Sequence, residues 1–354
     1  MTDPVLSMYD LDKSKCSITA FGNGLINHTW KITCENKVYL LQKINRQVFK
    51  TPEDIMDNFR LLAEYFKQHY PDYLFVAPLQ TNQGMNYVKQ DNHYYRLFPF
   101  IDNAFSVDTV TDPLLAFEAA RQFGKFTGLL SAFDPNLLHI TLNDFHNLAL
   151  RFRQFEDALL HGNNKRIAQT AESVHFLKDQ RTIVDELEKI KNNPDFKLRV
   201  VHHDSKINNV LFDSRNNRGL CVIDLDTVMP GYYISDVGDM LRTYLCPVSE
   251  DEQDFSKIQI REEYFLEIAK GYFSEMQHRL NEYEKLYFVY AGKFAIYMQA
   301  LRFLTDYINN DIYYNIKYED HNLVRANNQI LLLKKFLEKE EKLNAILISC
   351  LYSS

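Results

Sequence analysis

The stretch that decides the fold is residues 198–226, LRVVHHDSKINNVLFDSRNNRGLCVIDLD, in which short apolar runs alternate with polar side chains. Three of the runs have the length and composition of strands, and we predict strands at Leu198–Val201, Val210–Phe212 and Leu220–Ile223. Asp204 follows the first strand, Asn209 directly precedes the second, and Asp224 directly follows the third. The three strands thus deliver two carboxylates and one amide at their loop ends, which predicts a single polar site.

These residues have the types and the order that transfer of a phosphoryl group requires. A carboxylate at Asp204 can orient an acceptor hydroxyl and accept its proton. An amide at Asn209 and a second carboxylate at Asp224 supply oxygen ligands of the kind that hold Mg²⁺ against nucleotide phosphates. Lys206 is placed to neutralise charge on the transferred group. We therefore predict Asp204 and Lys206 as catalytic residues, and Asn209 and Asp224 as metal ligands.

The same pattern carries a family resemblance. The sequence HxDxxxxN at residues 202–209, followed by Ile-Asp at 223–224, resembles the catalytic loop and magnesium motif of the aminoglycoside phosphotransferase and choline kinase superfamily. The longer string over residues 204–231 is similar in particular to the N-acetylhexosamine 1-kinases, which share Lys206 and Asp226. The resemblance places this chain among small-molecule kinases.

The resemblance implies an α+β fold of the protein-kinase-like, two-lobed type. A small N-lobe with an antiparallel sheet would span residues 1–100, and a larger, mainly helical C-lobe would span residues 101–354. It also implies ATP as the phosphoryl donor and Mg²⁺ as the cofactor. The implied acceptor is the anomeric 1-hydroxyl of an N-acetylhexosamine, either N-acetylglucosamine or N-acetylgalactosamine. Transfer would be direct and in line, without a phosphoenzyme.

A nucleotide site in such a fold needs a loop over the phosphates and a strand lysine. Residues 21–27, FGNGLIN, lie between two predicted strands. The resemblance assigns the phosphate cover to three residues of this loop, namely Gly22, Gly24 and Asn27. Lys43 ends a predicted strand and matches the lysine that contacts the phosphates. The sequence leaves its acidic partner open among Glu53, Asp54 and Asp57.

The hinge between the lobes is predicted at residues 96–100, RLFPF, where strands give way to helices. Backbone groups near Phe98 would bind adenine, with Phe98 or Phe100 as a wall of the pocket. Both aromatic side chains could instead belong to the core between the lobes. We predict Phe98 as the adenine contact.

The acceptor side is predicted from the helical half of the chain, where residues 301–314 resemble the N-acetylhexosamine kinases. Arg302 would bind sugar hydroxyls or the acetamido carbonyl, or steady Asp204. Arg302 and Asp306 lie four residues apart, so they could also pair with each other on one helix face. Tyr313 and Tyr314 offer aromatic surface to a sugar ring, unless they pack in the core. Asp226 is predicted as a further substrate contact, with the cap of a turn as its alternative.

The surrounding sequence predicts two structurally different halves. We predict strands near residues 17–21, 28–33, 37–43, 86–90 and 93–98. A helix is expected from Pro52 to about His69, because Thr51-Pro52 is a helix-start signal. After Pro99 the apolar positions step by three or four, as they do between Phe117 and Leu130, which is typical of helices. The boundary is therefore predicted near residue 100.

Composition excludes several classes of function. The chain has 354 residues and a net charge of −7, so it lacks the basic balance expected of a protein that binds nucleic acid or acidic membranes. The most apolar stretches are broken by charges, and none reaches the roughly 18 residues of a membrane helix. The five cysteines contain no CxxC pair. We therefore expect neither structural zinc nor a disulfide framework, and, with no signal peptide at the N-terminus, a cytoplasmic location.

Three rival interpretations remain at this point. The first keeps the chemistry and changes the acceptor to choline, an aminoglycoside, homoserine or another sugar. The second takes Asp224 and Asp226 as the DxD metal site of a nucleotide-sugar glycosyltransferase, which leaves Asp204 and Asn209 unexplained. The third is a pseudokinase scaffold, which the presence of all three site residues disfavours.

Overall fold

The structure is a computed structural model that describes residues 3–22 and 26–352. Its first hundred residues form an antiparallel sheet of five strands: β1 (Cys16–Ala20), β2 (His28–Cys34), β3 (Lys37–Lys43), β4 (Val88–Gln90) and β5 (His93–Pro99). The strand order is β1-β2-β3-β5-β4. Each predicted strand is present, with ends shifted by two residues or fewer. Asp91 and Asn92 both have positive φ and form the two-residue turn between β4 and β5.

The two faces of this sheet have different neighbours. Helix α1 (Asp3–Ser7) covers the outer face, where Val5 and Leu6 pack with Ile32 and Leu41. Helix α2 (Pro52–His69) lies towards the other face, and its Phe59 ring packs 5.8 Å from the ring of Phe98. Because successive side chains of a strand point to opposite faces, consecutive residues of β3 or of β5 lie in different surroundings.

The rest of the chain is mainly helical. Its helices are α3 (Pro113–Leu129), α4 (Leu148–His161), α5 (Asn164–Gln169), α6 (Ala171–Asp179), α7 (Thr182–Lys191), α8 (Ile234–Tyr244), α9 (Glu262–Met276), α10 (Glu282–Leu286), α11 (Phe288–Ile308), α12 (His321–Glu338) and α13 (Glu340–Tyr352). Helix α11 is buried on nearly every face and packs against α4, α8 and α12. It is therefore the centre of the core in this lobe.

Two small sheets lie in the helical lobe and carry the stretch quoted first. Their strands are β6 (Ala104–Phe105), β7 (Arg199–Val201), β8 (Val210–Asp213), β9 (Gly219–Val222) and β10 (Met229–Gly231). β7 pairs with β10, and β8 pairs with both β6 and β9, all antiparallel. The three strands predicted in residues 198–226 are confirmed as β7, β8 and β9.

The structure also corrects the sequence-based expectations. Cys16 and Cys34 form a disulfide, although the spacing of the cysteines predicts none. The antiparallel register of β1 and β2 places them directly opposite each other, with Cα atoms 4.2 Å apart. Within residues 3–22 and 26–352, no helix is long and apolar enough to cross a membrane.

Candidate active site

The loop between β7 and β8, residues 202–209, is held by the start of α8. The Asp236 carboxylate accepts hydrogen bonds from the backbone N–H groups of His202, at 3.0 Å, and His203, at 2.6 Å. The Ser205 hydroxyl donates to the backbone carbonyl oxygen of Asp236 at 2.8 Å. Asp236 is completely buried, so these bonds are shielded from competing water. These three hydrogen bonds hold the backbone of the loop against the start of α8.

A close backbone approach also shapes this loop. His203 has a φ of +67°, a left-handed conformation that is uncommon for residues other than glycine. Gly231 of β10 lies against its ring, because a Cβ on Gly231 would be only 2.5 Å from His203 Cε1. A side chain at position 231 would push the loop out of place.

Asp204 and Lys206 form an ion pair at the mouth of the loop, with Lys206 Nζ 3.0 Å from Asp204 Oδ1. The Asn209 side chain donates from Nδ2 to the backbone oxygen of Asp204, at 2.8 Å, and to Asp204 Oδ2, at 3.0 Å. Burial would raise the pKa of Asp204, but the charges of Lys206 and His202 lower it overall. In turn, the Asp204 carboxylate raises the pKa of Lys206. Asp204 is thus an ionised base with a quarter of its side chain open to the cleft.

Asp224 follows β9 with a left-handed φ of 60°, and its carboxylate is open to the cleft. Loss of hydration, together with the charges of Asp226 and Asp204, raises the pKa of Asp224 to about 7. Two neighbouring carboxylates thus disfavour the charged form of Asp224. A divalent cation beside Asp224 would favour that charged form.

The residues present fit a Mg²⁺ ion that is shared with nucleotide phosphates. Asn209 donates hydrogen bonds from Nδ2 to Asp204, and among the described residues none donates to its Oδ1. This oxygen can therefore act as a metal ligand. Among residues 3–22 and 26–352 there is no cluster of three or more His, Cys, Asp or Glu side chains in metal-binding geometry. One carboxylate and one amide suit Mg²⁺, which keeps several non-protein ligands in nucleotide sites. Asp224 and Asn209 are the residues that would hold it.

Asp226 is joined to the strand lobe by a buried ion pair that the sequence analysis missed. Arg96 of β5 places Nη1 2.6 Å from Asp226 Oδ1 and donates from Nη2 to Oδ2 at 2.9 Å. Arg96 also donates from Nε and Nη2 to Gln42 Oε1, at 3.1 and 2.8 Å. Arg96 is 1% exposed and Asp226 2%. The Asp226 carboxylate, predicted as a substrate contact, is therefore buried and bound to Arg96. The sequence did contain a signal for this ion pair, because Arg96 is a charged residue in the middle of an apolar strand and such a residue needs a buried partner.

Lys43 does not lie where the phosphate lysine was expected. In the antiparallel register Lys43 is opposite Tyr95, on the outer face of the sheet with Leu41. The preceding residue, Gln42, is opposite Arg96 and faces the cleft. Lys43 forms no ion pair with any of the three acids proposed as its partner. Glu53 pairs with Lys89, Asp57 with Arg60 and His139, and Asp54 with His139.

The predicted phosphate cover is only partly described. Gly22 has a φ of +73°, which favours glycine, and lies exposed at the end of β1. Gly24 lies outside the described residues. Asn27 donates from Nδ2 to Asp226 Oδ2 at 2.8 Å, and its Oδ1 accepts the backbone N–H of Asn45 at 3.0 Å. Asn27 thus ties the base of this loop to the helical lobe.

Phe98 and Phe100 occupy different surroundings at the hinge. Phe98 is buried between Phe59 and the guanidinium of Arg96. Phe100 is partly exposed and contacts the ring of Phe21, with centroids 6.1 Å apart. Phe98 is therefore mainly a core residue, and Phe100 has the more accessible ring of the two.

The predicted acceptor residues line one cavity of about 260 Å³ in the helical lobe. Arg302, Tyr313 and Tyr314 border it, together with Arg151 of α4, which the sequence analysis did not single out. The predicted Arg302–Asp306 pair is not formed. Asp306 instead accepts the backbone N–H groups of Tyr313, at 2.8 Å, and Tyr314, at 2.9 Å. Asp306 thereby fixes the loop that brings both tyrosines to the cavity.

A partly buried histidine, His146, packs against the buried His203 of the catalytic loop. The rings of His146 and His203 lie 5.1 Å apart, and His203 directly precedes Asp204. Burial, followed by the charges of His203 and Arg302, holds the pKa of His146 well below its usual value. His146 is therefore neutral, and the charge of Arg302 contributes to keeping it so.

Comparison with known proteins agrees with this geometry. A family model described as the phosphotransferase enzyme family matches residues 17–275. A microcompartment-associated aminopropanol kinase has a similar structure, with a TM-score of 0.64, 14% identity and 97% of each chain covered. Choline kinase from Cryptosporidium parvum gives a TM-score of 0.56 at 15% identity, over 96% of this chain and 95% of its own. A spectinomycin phosphotransferase in complex with ADP and spectinomycin gives 0.54 at 15% identity, over 98% and 95%.

These structures confirm the expected protein-kinase-like fold, with a small sheet lobe and a larger helical lobe. At such low sequence identity the likeness concerns the fold alone. The family model covers well over half of the chain, including the whole segment from Asp204 to Asp226. The chain therefore belongs to the phosphotransferase enzyme family, whose members are small-molecule kinases.

Proposed function

We propose that this protein is an ATP- and Mg²⁺-dependent kinase that phosphorylates the anomeric 1-hydroxyl of an N-acetylhexosamine. The observation that carries the proposal is the group formed by Asp204, Lys206 and Asn209, with Asp224 open to the same cleft. The group contains a base, a cation and two oxygen donors in the order that phosphoryl transfer requires. The similarity of residues 204–231 to the N-acetylhexosamine 1-kinases supports the choice of acceptor.

Asp204 is the base in the proposed reaction. The acceptor hydroxyl oxygen attacks the γ-phosphorus of ATP, and its proton passes to an oxygen of Asp204. The bond between the γ-phosphorus and the β,γ-bridging oxygen breaks, which releases ADP. The lowered pKa of Asp204 keeps the carboxylate ionised for this step. A hydrogen bond from Asn209 to Oδ2 and the ion pair of Oδ1 with Lys206 orient its side chain.

Lys206 and Arg96 supply positive charge at different depths of the cleft. Lys206 is more than two fifths exposed, so its ammonium can turn from Asp204 towards a transferred phosphoryl group. Arg96 is buried, and through Asp226 it holds the segment that carries Asp224. Bound Mg²⁺ would neutralise charge on the β- and γ-phosphates.

The acceptor cavity supports a sugar rather than an extended apolar substrate. Tyr313 presents 70% of its surface at the rim, and an aromatic face of this kind suits the C–H side of a pyranose ring. Arg302 provides donors for hydroxyl or acetamido oxygens. The DxD glycosyltransferase interpretation is disfavoured because the second carboxylate, Asp226, is bound by Arg96.

A panel of acceptors tests the proposal by coupled release of ADP. N-acetylglucosamine and N-acetylgalactosamine should give the highest kcat/KM among sugars, choline, homoserine and aminoglycosides. Phosphorus NMR should then show an anomeric phosphate and no 6-phosphate. Turnover of a different acceptor class at a higher kcat/KM would replace the sugar assignment, and a lack of Mg²⁺-dependent turnover with every acceptor would overturn the kinase assignment.

A further inference from the structure

The acceptor cavity contains two arginines that lack acidic partners. Arg151 comes from α4 and Arg302 from α11, and both line the same cavity of about 260 Å³. No carboxylate of the described residues forms an ion pair with either guanidinium, although most other buried or half-buried arginines of the helical lobe have one. Arg166, Arg199 and Arg242, for example, pair with Asp311, Glu284 and Asp239. The two arginines of the cavity, Arg151 and Arg302, are therefore an exception that needs a reason.

The hydrogen bonds of the two arginines leave donors unused. Arg151 donates to Gln154 Oε1 and to the backbone oxygen of Asp144, both at 2.9 Å, and its Nε is buried without an acceptor. Arg302 has one long hydrogen bond, 3.4 Å to Gln299 Oε1. A guanidinium has five N–H donors, so most of those of Arg302 are free to bind a ligand.

The acids of the cavity do not balance this charge. Asp306 accepts three hydrogen bonds, from the backbone of Tyr313 and Tyr314 and from the Asn322 side chain. Asp157 lies at the rim with 73% of its side chain exposed, where water screens it. Burial, followed by the charge of Arg302, lowers the pKa of Arg151 and outweighs the opposite effect of Tyr313, Tyr314 and the exposed Asp144.

We propose that Arg151 and Arg302 together select the acceptor, by binding oxygen atoms of an uncharged or anionic molecule and by repelling a cationic one. This inference rests on the proposed kinase function and deepens it, because it adds Arg151 to the acceptor site and names the charge class of the substrate. A ring oxygen, hydroxyl or acetamido carbonyl can accept the free N–H groups. An ammonium group at the same place would meet two positive charges, while the carboxylates of the cavity are hydrogen-bonded at Asp306 or screened by water at Asp157.

Three sugars that differ only at carbon 2 measure this selection. N-acetylglucosamine carries an acetamido group, glucose a hydroxyl, and glucosamine an amine that is mostly protonated at pH 6.5. The wild-type protein should use glucosamine with a kcat/KM below that of glucose. In Arg151→Gln the ratio of glucosamine to glucose should rise by about five-fold, the effect of one unit charge at short range in a partly aqueous site.

Matched variants separate charge from packing. Arg153→Gln removes the same charge from an exposed position on the same helix and should leave the ratio unchanged. Arg151→Lys keeps the charge but loses the fork of donors, so it should keep the rejection of glucosamine while kcat/KM for N-acetylglucosamine falls. An unchanged ratio in both Arg151→Gln and Arg302→Gln would overturn the proposal.

A second measurement does not depend on which acceptor is phosphorylated. In a Cys350→Ser background, a cysteine at Tyr313→Cys is modified by methanethiosulfonate reagents that carry either a sulfonate or a trimethylammonium group. The ratio of the reaction rate with the sulfonate reagent to the rate with the trimethylammonium reagent should be higher at Tyr313→Cys than at an exposed reference site, Leu137→Cys. The preference should fall by about five-fold for each arginine changed to glutamine.

The two measurements distinguish the failure of this inference from failure of the proposed function. If no sugar is phosphorylated but the labelling preference is present and depends on both arginines, the sugar assignment fails and the charge selection stands. If sugars are phosphorylated but the labelling preference equals that of the reference site, the charge selection is wrong and the kinase function stands.

Discussion

The catalytic loop and the acceptor cavity differ in how completely their polar groups are paired. In the loop, Asp236 accepts two backbone N–H groups and Asn209 donates twice to Asp204. In the cavity, Arg151 and Arg302 have no acidic partner among the described residues, and Tyr313 is largely exposed. The backbone and the base of the loop are held by hydrogen bonds within the protein, whereas the cavity has donors and surface left for a ligand.

The difference follows from what each region must do. A base contributes most when its orientation is set before the substrate arrives, since reorganisation during the reaction would add to the barrier. A recognition cavity gains specificity when its own donors are satisfied only by the correct molecule. Substitutions in the loop should therefore affect the rate of the chemical step, whereas those in the cavity should affect acceptor binding.

The largest effect is expected for Asp204→Asn. The amide cannot accept the proton of the acceptor, so kcat should fall by about 10³-fold or more while ADP binding stays within a few-fold of wild type. Steady-state kinetics and calorimetric titration of ADP check the two parts. A near-normal kcat would show that Asp204 is not the base. The hydrogen bonds of the loop would then contribute to stability only.

The buried pair between Arg96 and Asp226 should be next in size. Arg96→Met leaves a buried carboxylate without its cation, and we expect a loss of about 3–5 kcal/mol in the free energy of unfolding by urea. The double variant Arg96→Met/Asp226→Leu should recover most of that loss. As the control, Arg60→Met removes an exposed arginine and should cost less than about 1 kcal/mol. Equal losses in the single and double variants would contradict the assigned role of charge.

A smaller effect is expected in the cavity. Tyr313→Ala removes an exposed aromatic face, so the acceptor KM should rise about ten-fold with little change in kcat. Tyr352→Ala, at an exposed site on α13, is the control. A fall in kcat with an unchanged KM would erase the distinction between cavity and loop.

The smallest effect concerns the anchor of the segment that carries Tyr313. Asp251 binds Lys317, at 2.8 Å, and Arg325, at 2.7 Å, and also contacts His321. Burial would raise the pKa of Asp251, but the hydrogen bonds from Lys317 and Arg325 outweigh it and lower the pKa from 3.8 to about 2.

Because the folded-state pKa of Asp251 is lowered, its contribution to stability is complete above about pH 4 and is lost as the pH falls towards about 2. The difference in unfolding free energy between wild type and Asp251→Asn should therefore be largest at pH 5 and shrink on acidification. Urea titrations at pH 5, 4 and 3 measure it. A difference that grows as the pH falls would reverse the assigned direction of the pKa shift.

Sequence reasoning was most successful where function and local structure coincide. The order of Asp204, Asn209 and Asp224 around three short strands predicted the principal group of the site, and the family resemblance that this motif carries implied the fold class. It was less successful in the strand lobe, where Lys43 was one residue away from the cleft-facing position. A shift of one residue along a strand moves a side chain to the opposite face of the sheet. The sequence of β3 alone does not indicate which of its faces lies under α1 and which faces the cleft.

The sequence by itself determined that the chain has a phosphoryl-transfer motif in kinase order, followed by helices with regular apolar stripes. Only the tertiary structure decided that Arg96 reaches Asp226 across 130 positions of the chain and that Arg151 joins Arg302 in one cavity. The physical reason is that a motif depends on neighbours along the chain, whereas the pairing of a charge depends on which groups folding brings within a few ångströms of it.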